Sequence, residues 1–448
     1  MNMVKNLTEG RPLNLLFFFA LPMVAGNLFQ QLYNMVDTAV VGKFVGEDAV
    51  AAVGSSFPIV FLSVAVASGL SMGCTVVVSQ LFGAGRIHEM KTTISTAIIS
   101  LGVLGLLIMG LGTLLAGPLL QLLGTDPDIM ADSRTYLQIY FGGAVFLFLY
   151  NTLNGIYNAQ GDSKTPLIFL MISSLTNIVL DLLFVAVFHW GIAGAAIATI
   201  VAQALSALLV LGVLTASRSC YRVQWRNLKV QRGILKNIFV VGVPSALQLA
   251  VTSFSNVFVQ SYVNRFASSC MAGWAAYQKI DAFAILPMTT LSVTATTFVG
   301  QNVGAGNWER AKRGIRCSLA IATVVAVVVL VPLMLFARPL CGLFNQEPEV
   351  LDYGVYFIRL ISPFYLIANF NQIYAGALRG AGDAKIPMFI MLFSFVAFRQ
   401  VYLLVTYRLF GTLLPVALGY PVGWIVCSVI LLLYYRSGKW MKHSFVTS

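Results

Sequence analysis

The stretch TTISTAIISLGVLGLLIMGLGTLLAGPLL, Thr92 to Leu120, contains no charged residue. Roughly 20 such residues span the hydrocarbon core of a bilayer, and a helix satisfies its own backbone hydrogen bonds there. Eleven further apolar runs flank it, at 13–39, 50–77, 135–158, 166–188, 192–215, 238–262, 272–298, 315–337, 354–377, 387–410 and 414–435. Each is too long for a barrel strand. Of the 448 residues, 58% are hydrophobic and 10% charged, against about 25% charged in a soluble domain. So few charges cannot cover a soluble surface, and lipid is the remaining solvent. The predicted fold is an all-α integral membrane protein of twelve transmembrane helices.

The formal net charge of +12 does not mark a nucleic-acid binder, because the basic residues lie in short loops rather than on a soluble domain. Of the 28 Lys and Arg, twenty fall in loops on the side of the N-terminus, and Lys43, Arg134, Arg265, Arg338, Arg359 and Arg408 fall opposite. Lys279 and Arg399 lie within runs. By the positive-inside rule, both termini are cytoplasmic in a multi-pass protein of the cell inner membrane. Lys5 and Arg11 before Leu13–Gly26 imitate a secretory leader. That run continues to Val41 and carries Pro22, Asn27, Gln30, Gln31, Asn34 and Asp37, which suits a pore-lining first helix better.

Other function classes lack their parts. The six cysteines, Cys74, Cys220, Cys270, Cys317, Cys341 and Cys427, stand singly, without metal-ligand spacing. Three histidines, His88, His189 and His443, no HExxH and no GxxxxGK[ST] argue against an intramembrane enzyme and against ATP handling. No cofactor and no obligatory oligomer are implied; the expected state is a monomer in the lipid bilayer.

The chain is internally duplicated at an offset near 221. Gln80, Gly83, Ala84 and Gly85 recur as Gln301, Gly304, Ala305 and Gly306, and Gly161, Asp162, Lys164 and Pro166 recur as Gly382, Asp383, Lys385 and Pro387. Pro22 and Asn34 recur as Pro244 and Asn256. Six spans per half give copies of like orientation, a parallel repeat about an axis along the membrane normal, which suits alternating access. The expected division is an N-terminal lobe at 1–216, a cytoplasmic interlobe loop at 217–237 and a C-terminal lobe at 238–448. The recurring loops read as helix caps and tight turns.

Of the 16 acids, only Asp37, Asp181 and Asp281 lie within spans, where a carboxylate costs at least a few kcal/mol and usually faces a cavity or an ion path. Asn177 and Asp181 are four apart on the fifth span and project from one helix face. They form half a cation site, and Asp37 on the first span and Thr199 on the sixth supply further hard oxygen ligands if those helices meet the fifth. Na⁺ would exchange its hydration shell for these oxygens, with Asp37, Asn177 and Asp181 as its ligands; alternatively Asp37 and Asp181 would share a proton and neutralise the lobe. Asn34 and Gln203, one turn from Asp37 and Thr199, are supporting residues. Pro22 removes a backbone hydrogen bond and is a bending point. No other metal site is expected.

The second half has Val259, Phe398, Tyr402 and Tyr420 at the positions matching Asp37, Asn177, Asp181 and Thr199, so the cation site belongs to one half. Asp281 is expected to meet cationic substrates, with Gln248, Asn369 and Tyr277 as further substrate-binding candidates. Lys279, two residues from Asp281, lies on another helix face; Arg399 is the alternative partner of Asp281.

The sequence Leu21-Pro22 to Asn34 and Asp37-Thr38, Gln80-x-x-Gly83-Ala84-Gly85, Gly161-Asp162 and Gly191-x-x-Gly194-Ala195-Ala196, in this order and on a duplicated twelve-span plan, resembles the multidrug and toxic compound extrusion (MATE) family, in its bacterial DinF-like branch. The resemblance covers nearly the whole chain. It implies two six-helix lobes, export of bulky and often cationic small organic compounds against inward Na⁺ or H⁺, and cation coupling at Asp37, Asn177, Asp181 and Thr199. A flippase for lipid-linked or other amphipathic cargo is the runner-up, although Lys279 and Arg399 alone would meet its phosphates within the spans.

Overall fold

The computed structural model describes residues 5–216 and 229–446. Most of the interlobe loop, with Arg218, Arg222, Arg226 and Cys220, lies outside the described residues. Among the described residues, eleven helices are long and apolar enough to cross a membrane, and the pair Pro127–Gly142 and Ala144–Ala159, bent by 49°, passes the same test together and, counted as one span, brings the number to twelve. The remaining spans are Pro12–Phe44, Glu47–Gly83, Ile87–Leu122, Lys164–Val187, Gly191–Ala216, Arg232–Val263, Ser268–Gly304, Trp308–Leu335, Pro348–Gly380, Lys385–Phe410 and Gly419–Arg436. All twelve predicted runs are therefore helical. Large apolar side chains cover their outer faces: Leu114 is 77% exposed and Leu409 71%. Surface of that kind is stable against acyl chains and not against water.

Local chemistry sets the ends of the helices. Asp126 accepts from the backbone N–H of Asp128 at 3.0 Å and caps the helix that Pro127 begins. Asp162 accepts from the N–H groups of Lys164 and Thr165 at 3.1 and 3.0 Å, and Asp383 takes the N–H of Ile386 at 3.3 Å. Gly161 and Gly382 before them have φ of +76° and +101°, and a Cβ on either would strike the carbonyl of Lys5 or His443. The duplicated Gly-Asp loops are thus turn-and-cap devices.

The duplication holds at the level of packing. Ser71 on the second span donates to the Asn151 carbonyl on the fourth, and Ser292 on the eighth donates to Gln372 on the tenth at 2.7 Å. Gly155 and Gly376, also matched at the 221-residue offset, permit both crossings: an added Cβ would lie 2.5 Å from Ser71 Oγ and 2.4 Å from the Ser292 carbonyl. Such small-residue contacts hold helices together where no hydrophobic drive exists between them.

The described chain forms two compact units whose edges differ from the equal halves expected. One unit holds the residues up to Asn6 and those from Leu21 to Ala246; the other holds Leu7–Ala20 and the residues from Leu247 onward. The reasons are close contacts within each unit. Gly69 and Gly73 let the backbone of Ala246 and Ile238 lie against the second span, so the first half of the seventh span belongs to the first unit. In the second unit, the buried Leu7 donates its N–H to Gln301 Oε1 at 2.9 Å and accepts from Asn302 Nδ2 at 3.3 Å. The described cysteines form no disulfide.

Candidate functional site

In the first unit, Val40 and Val41 at the end of the first span share an apolar cluster with Val185, Ile192 and Ala195 of the fifth and sixth. That packing carries Asp37, one turn back along the first span, to the fifth. The fifth span is α-helical up to Asp181 and continues as a π-helical segment, Leu182–Val187. A π segment at that place is a frequent mark of a functional site.

The carboxyl groups of Asp37 and Asp181 lie within hydrogen-bonding reach of each other. Asp181 is fully buried and Asn177 is 1% exposed. Both polar atoms of Asn177, both oxygens of Asp181 and Oδ1 of Asp37 have no protein hydrogen-bond partner. A buried polar atom left without a partner costs about 1–3 kcal/mol, and native interiors leave few of them. Five lie at one place, and the four oxygens among them form a set of hard donors suited to Na⁺, or include a carboxyl pair that holds one proton.

Two tyrosines stand near this pair, and two more stand beside them. Tyr33 lies within electrostatic reach of Asp37, Asp181, Tyr140 and Tyr150, and Tyr136 within reach of the same two acids. The Tyr136 and Tyr140 rings stack with centroids 6.3 Å apart, and the side chains of Tyr140 and Gln203 are hydrogen-bonded. Gln203 thus reaches the cluster through Tyr140. Thr199, half-buried, donates to the Ala195 carbonyl of its own helix at 3.1 Å, which leaves its lone pairs available. Asn34 is exposed and donates to Gln31 Oε1 at 3.5 Å; no hydrogen bond joins it to the acids. Pro22 lies inside a helix that runs unbroken from Pro12 to Phe44.

Tyr33, Tyr136, Tyr140 and Tyr150 are not among the candidate site residues read from the sequence. The signal for two of them was present, since Tyr33 precedes Asp37 by four residues and Tyr136 precedes Tyr140 by four, each pair on one helix face.

In the second unit, Asp281 Oδ1 accepts from the Tyr277 hydroxyl at 3.0 Å and from the Tyr365 hydroxyl. These rings belong to an aromatic cluster with Trp274, Phe357, Tyr420 and Trp424. Arg399 makes no ion pair with Asp281, contrary to the pairing considered from sequence. Its Nη2 donates to Ser255 Oγ at 2.6 Å and Asn256 Oδ1 at 3.0 Å, and its guanidinium lies 4.8 Å from the Tyr420 ring centroid. Lys279 is exposed, over the Phe344 ring at 5.2 Å. Gln248 donates to Met391 Sδ at 2.8 Å and Asn369 to the Ala322 carbonyl at 3.0 Å. Of the four substrate-binding candidates, only Asp281 and Tyr277 are hydrogen-bonded to each other.

A family model described as MatE matches residues 22–183 and 244–402, one copy in each half. The chain belongs to the MatE family. Among the family's curated members, a probable multidrug resistance protein, YpnP of Bacillus subtilis (strain 168), is 30% identical over 445 residues and covers 99% of both chains. The probable multidrug resistance protein NorM of Thermotoga maritima is 26% identical over 440 residues, 96% of this chain and 93% of its own. A solved multidrug resistance MATE transporter of the MOP superfamily in an outward-facing conformation superposes with a TM-score of 0.91 at 23% identity, over 98% of each chain. MatE membership makes this chain a polytopic membrane transporter, with the twelve-span fold expected from its hydropathy.

Proposed function

We propose that the protein is a cation-coupled antiporter of the inner membrane that exports bulky, often cationic organic compounds by alternating access. The observation that carries this reading is the Asp37–Asp181 carboxyl pair, in which the buried Asp181 and Asn177 and Oδ1 of the half-buried Asp37 have no hydrogen-bond donor or acceptor elsewhere in the protein. Na⁺ or H⁺ arriving at that pair removes the repulsion of two like charges in a low-dielectric site. The fifth and sixth spans then pack differently against the first, with Pro22 as the bending point, and the altered packing weakens substrate binding. Thr199 contributes a hydroxyl oxygen, and Gln203 and the tyrosines hold the surrounding hydrogen bonds.

The drug-resistance names of the matched relatives support a drug-like cargo, and the excess of Lys and Arg on the N-terminal side supports cytoplasmic termini. They do not favour the flippase reading. The protein works as a monomer, with Asp281 and Tyr277 meeting the cationic substrate in the second unit and Gln248 and Asn369 supporting that region. The test is ethidium transport in proteoliposomes under an imposed Na⁺ or pH gradient. Transport driven by one gradient identifies the coupling ion; transport driven by neither rejects antiport.

A further inference from the structure

One helical turn before Tyr402, the residue that the duplication sets against Asp181, the second unit carries a fixed positive charge, Arg399. Asn256 matches Asn34, Tyr420 matches Thr199, and Phe398, which precedes Arg399, matches Asn177. Arg399 directly follows a π-helical segment, Phe393–Phe398, as Asp181 directly precedes one. Ser255, which accepts from Arg399, donates to the Phe395 carbonyl of that segment. Arg399 is 2% exposed and its Nε has no hydrogen-bond partner.

Every group that holds this guanidinium is neutral: Ser255, Asn256 and the rings of Tyr420 and Phe395. No ion pair within 4.0 Å reaches it among the described residues. A buried membrane cation satisfied by dipoles alone keeps most of its desolvation cost, and a carboxylate is the partner that offsets it. Asp281 supplies the opposite charge in the same cluster, where Tyr420 lies within electrostatic reach of both Arg399 and Asp281. One positive and one negative group thus flank the half-buried Tyr420 ring, which packs on the buried Trp274 and Trp424.

We propose that this cluster binds zwitterionic aromatic compounds, with their anionic group on Arg399, their cationic nitrogen on Asp281 and their ring system against Tyr420 and Trp424. Binding moves the Tyr420 ring off the guanidinium and replaces a cation–π contact with a charge-assisted, forked hydrogen bond, the stronger interaction. The inference rests on the exporter reading above and refines its substrate class.

The test is equilibrium binding to the purified full-length chain in lipid-free detergent micelles at neutral pH, read by fluorescence anisotropy. The probes are rhodamine 19, which carries a free carboxylate, and rhodamine 6G, its ethyl ester, which is cationic only. The acid should bind about tenfold more tightly than the ester, the effect of one charge-assisted contact. Arg399→Gln should erase that difference, and Arg399→Lys should keep the acid preferred. Equal affinities in the wild type, or an acid preference that survives Arg399→Gln, overturns the proposal. The wild-type ratio decides alone should Arg399→Gln fail to fold. Because the assay needs no ion gradient, a preserved acid preference beside failed gradient-driven transport rejects the antiport reading and leaves this site standing.

Discussion

Asp181→Asn keeps the shape of the side chain and removes one of two apposed charges. At a hydrogen-bonding separation of about 3 Å and an effective dielectric of about 20, two carboxylates repel by about 5 kcal/mol. Moving a two-state equilibrium from 1:99 to 99:1 takes about 5.5 kcal/mol. The Asp37–Asp181 pair therefore stores nearly the energy needed to switch the access state when a cation arrives, and a lone Asp37 stores none of it. Gradient-driven ethidium export by Asp181→Asn in proteoliposomes is expected to fall by a factor of about 100 or more toward the leak rate. Thermal unfolding and gel filtration should show a folded protein, since no N–H or hydroxyl donor of the protein depends on Asp181. Export within about threefold of wild type, at equal protein incorporation, refutes the reasoning.

Asp281→Asn should weaken export of cationic dyes about tenfold while neutral compounds change little; equal loss for both classes contradicts a charge role. Gly376→Leu drives a side chain into the Ser292 carbonyl, 2.4 Å from an added Cβ, and should cost about 1–3 kcal/mol, read as a lowered midpoint in detergent thermal unfolding. Asp162→Ala removes the acceptor for two backbone N–H groups and the Thr165 hydroxyl and should cost about 1 kcal/mol. The cost of Asp162→Ala should show in stability, with the coupling ion and its gradient dependence unchanged.

Much of the fold was legible because a bilayer leaves one solution to a long apolar run. Thr92–Leu120 has to be a helix, and the same holds for its eleven counterparts. The acid pair was legible for a related reason: with only three acids inside spans, Asp37 and Asp181 stood out against the cost of placing them there. The edges of the units were not legible. They follow from backbone approaches at Gly69 and Gly73 and from the anchoring of Leu7 on Gln301 and Asn302, which depend on tertiary geometry rather than periodicity. Gln248 and Asn369 show the opposite limit. An amide in a membrane span reads as a ligand for substrate; here Gln248 and Asn369 donate within the protein, to Met391 and to the Ala322 carbonyl, while Asn369 Oδ1 is left without a partner. Tyr136 was missed because a tyrosine hydroxyl is costly in lipid only when unpartnered, so its position near the acids leaves no compositional trace.

The most direct test follows the ion itself. Proteoliposomes loaded with ethidium and placed in dye-free buffer, with no ion gradient imposed, provide only a substrate gradient. The account predicts that outward ethidium movement draws Na⁺ or H⁺ inward, recorded as ²²Na⁺ uptake or as acidification of an internal pH dye, and that Asp37→Asn and Asp181→Asn abolish this ion movement. Ethidium leaving through the wild-type protein with neither ion entering contradicts it.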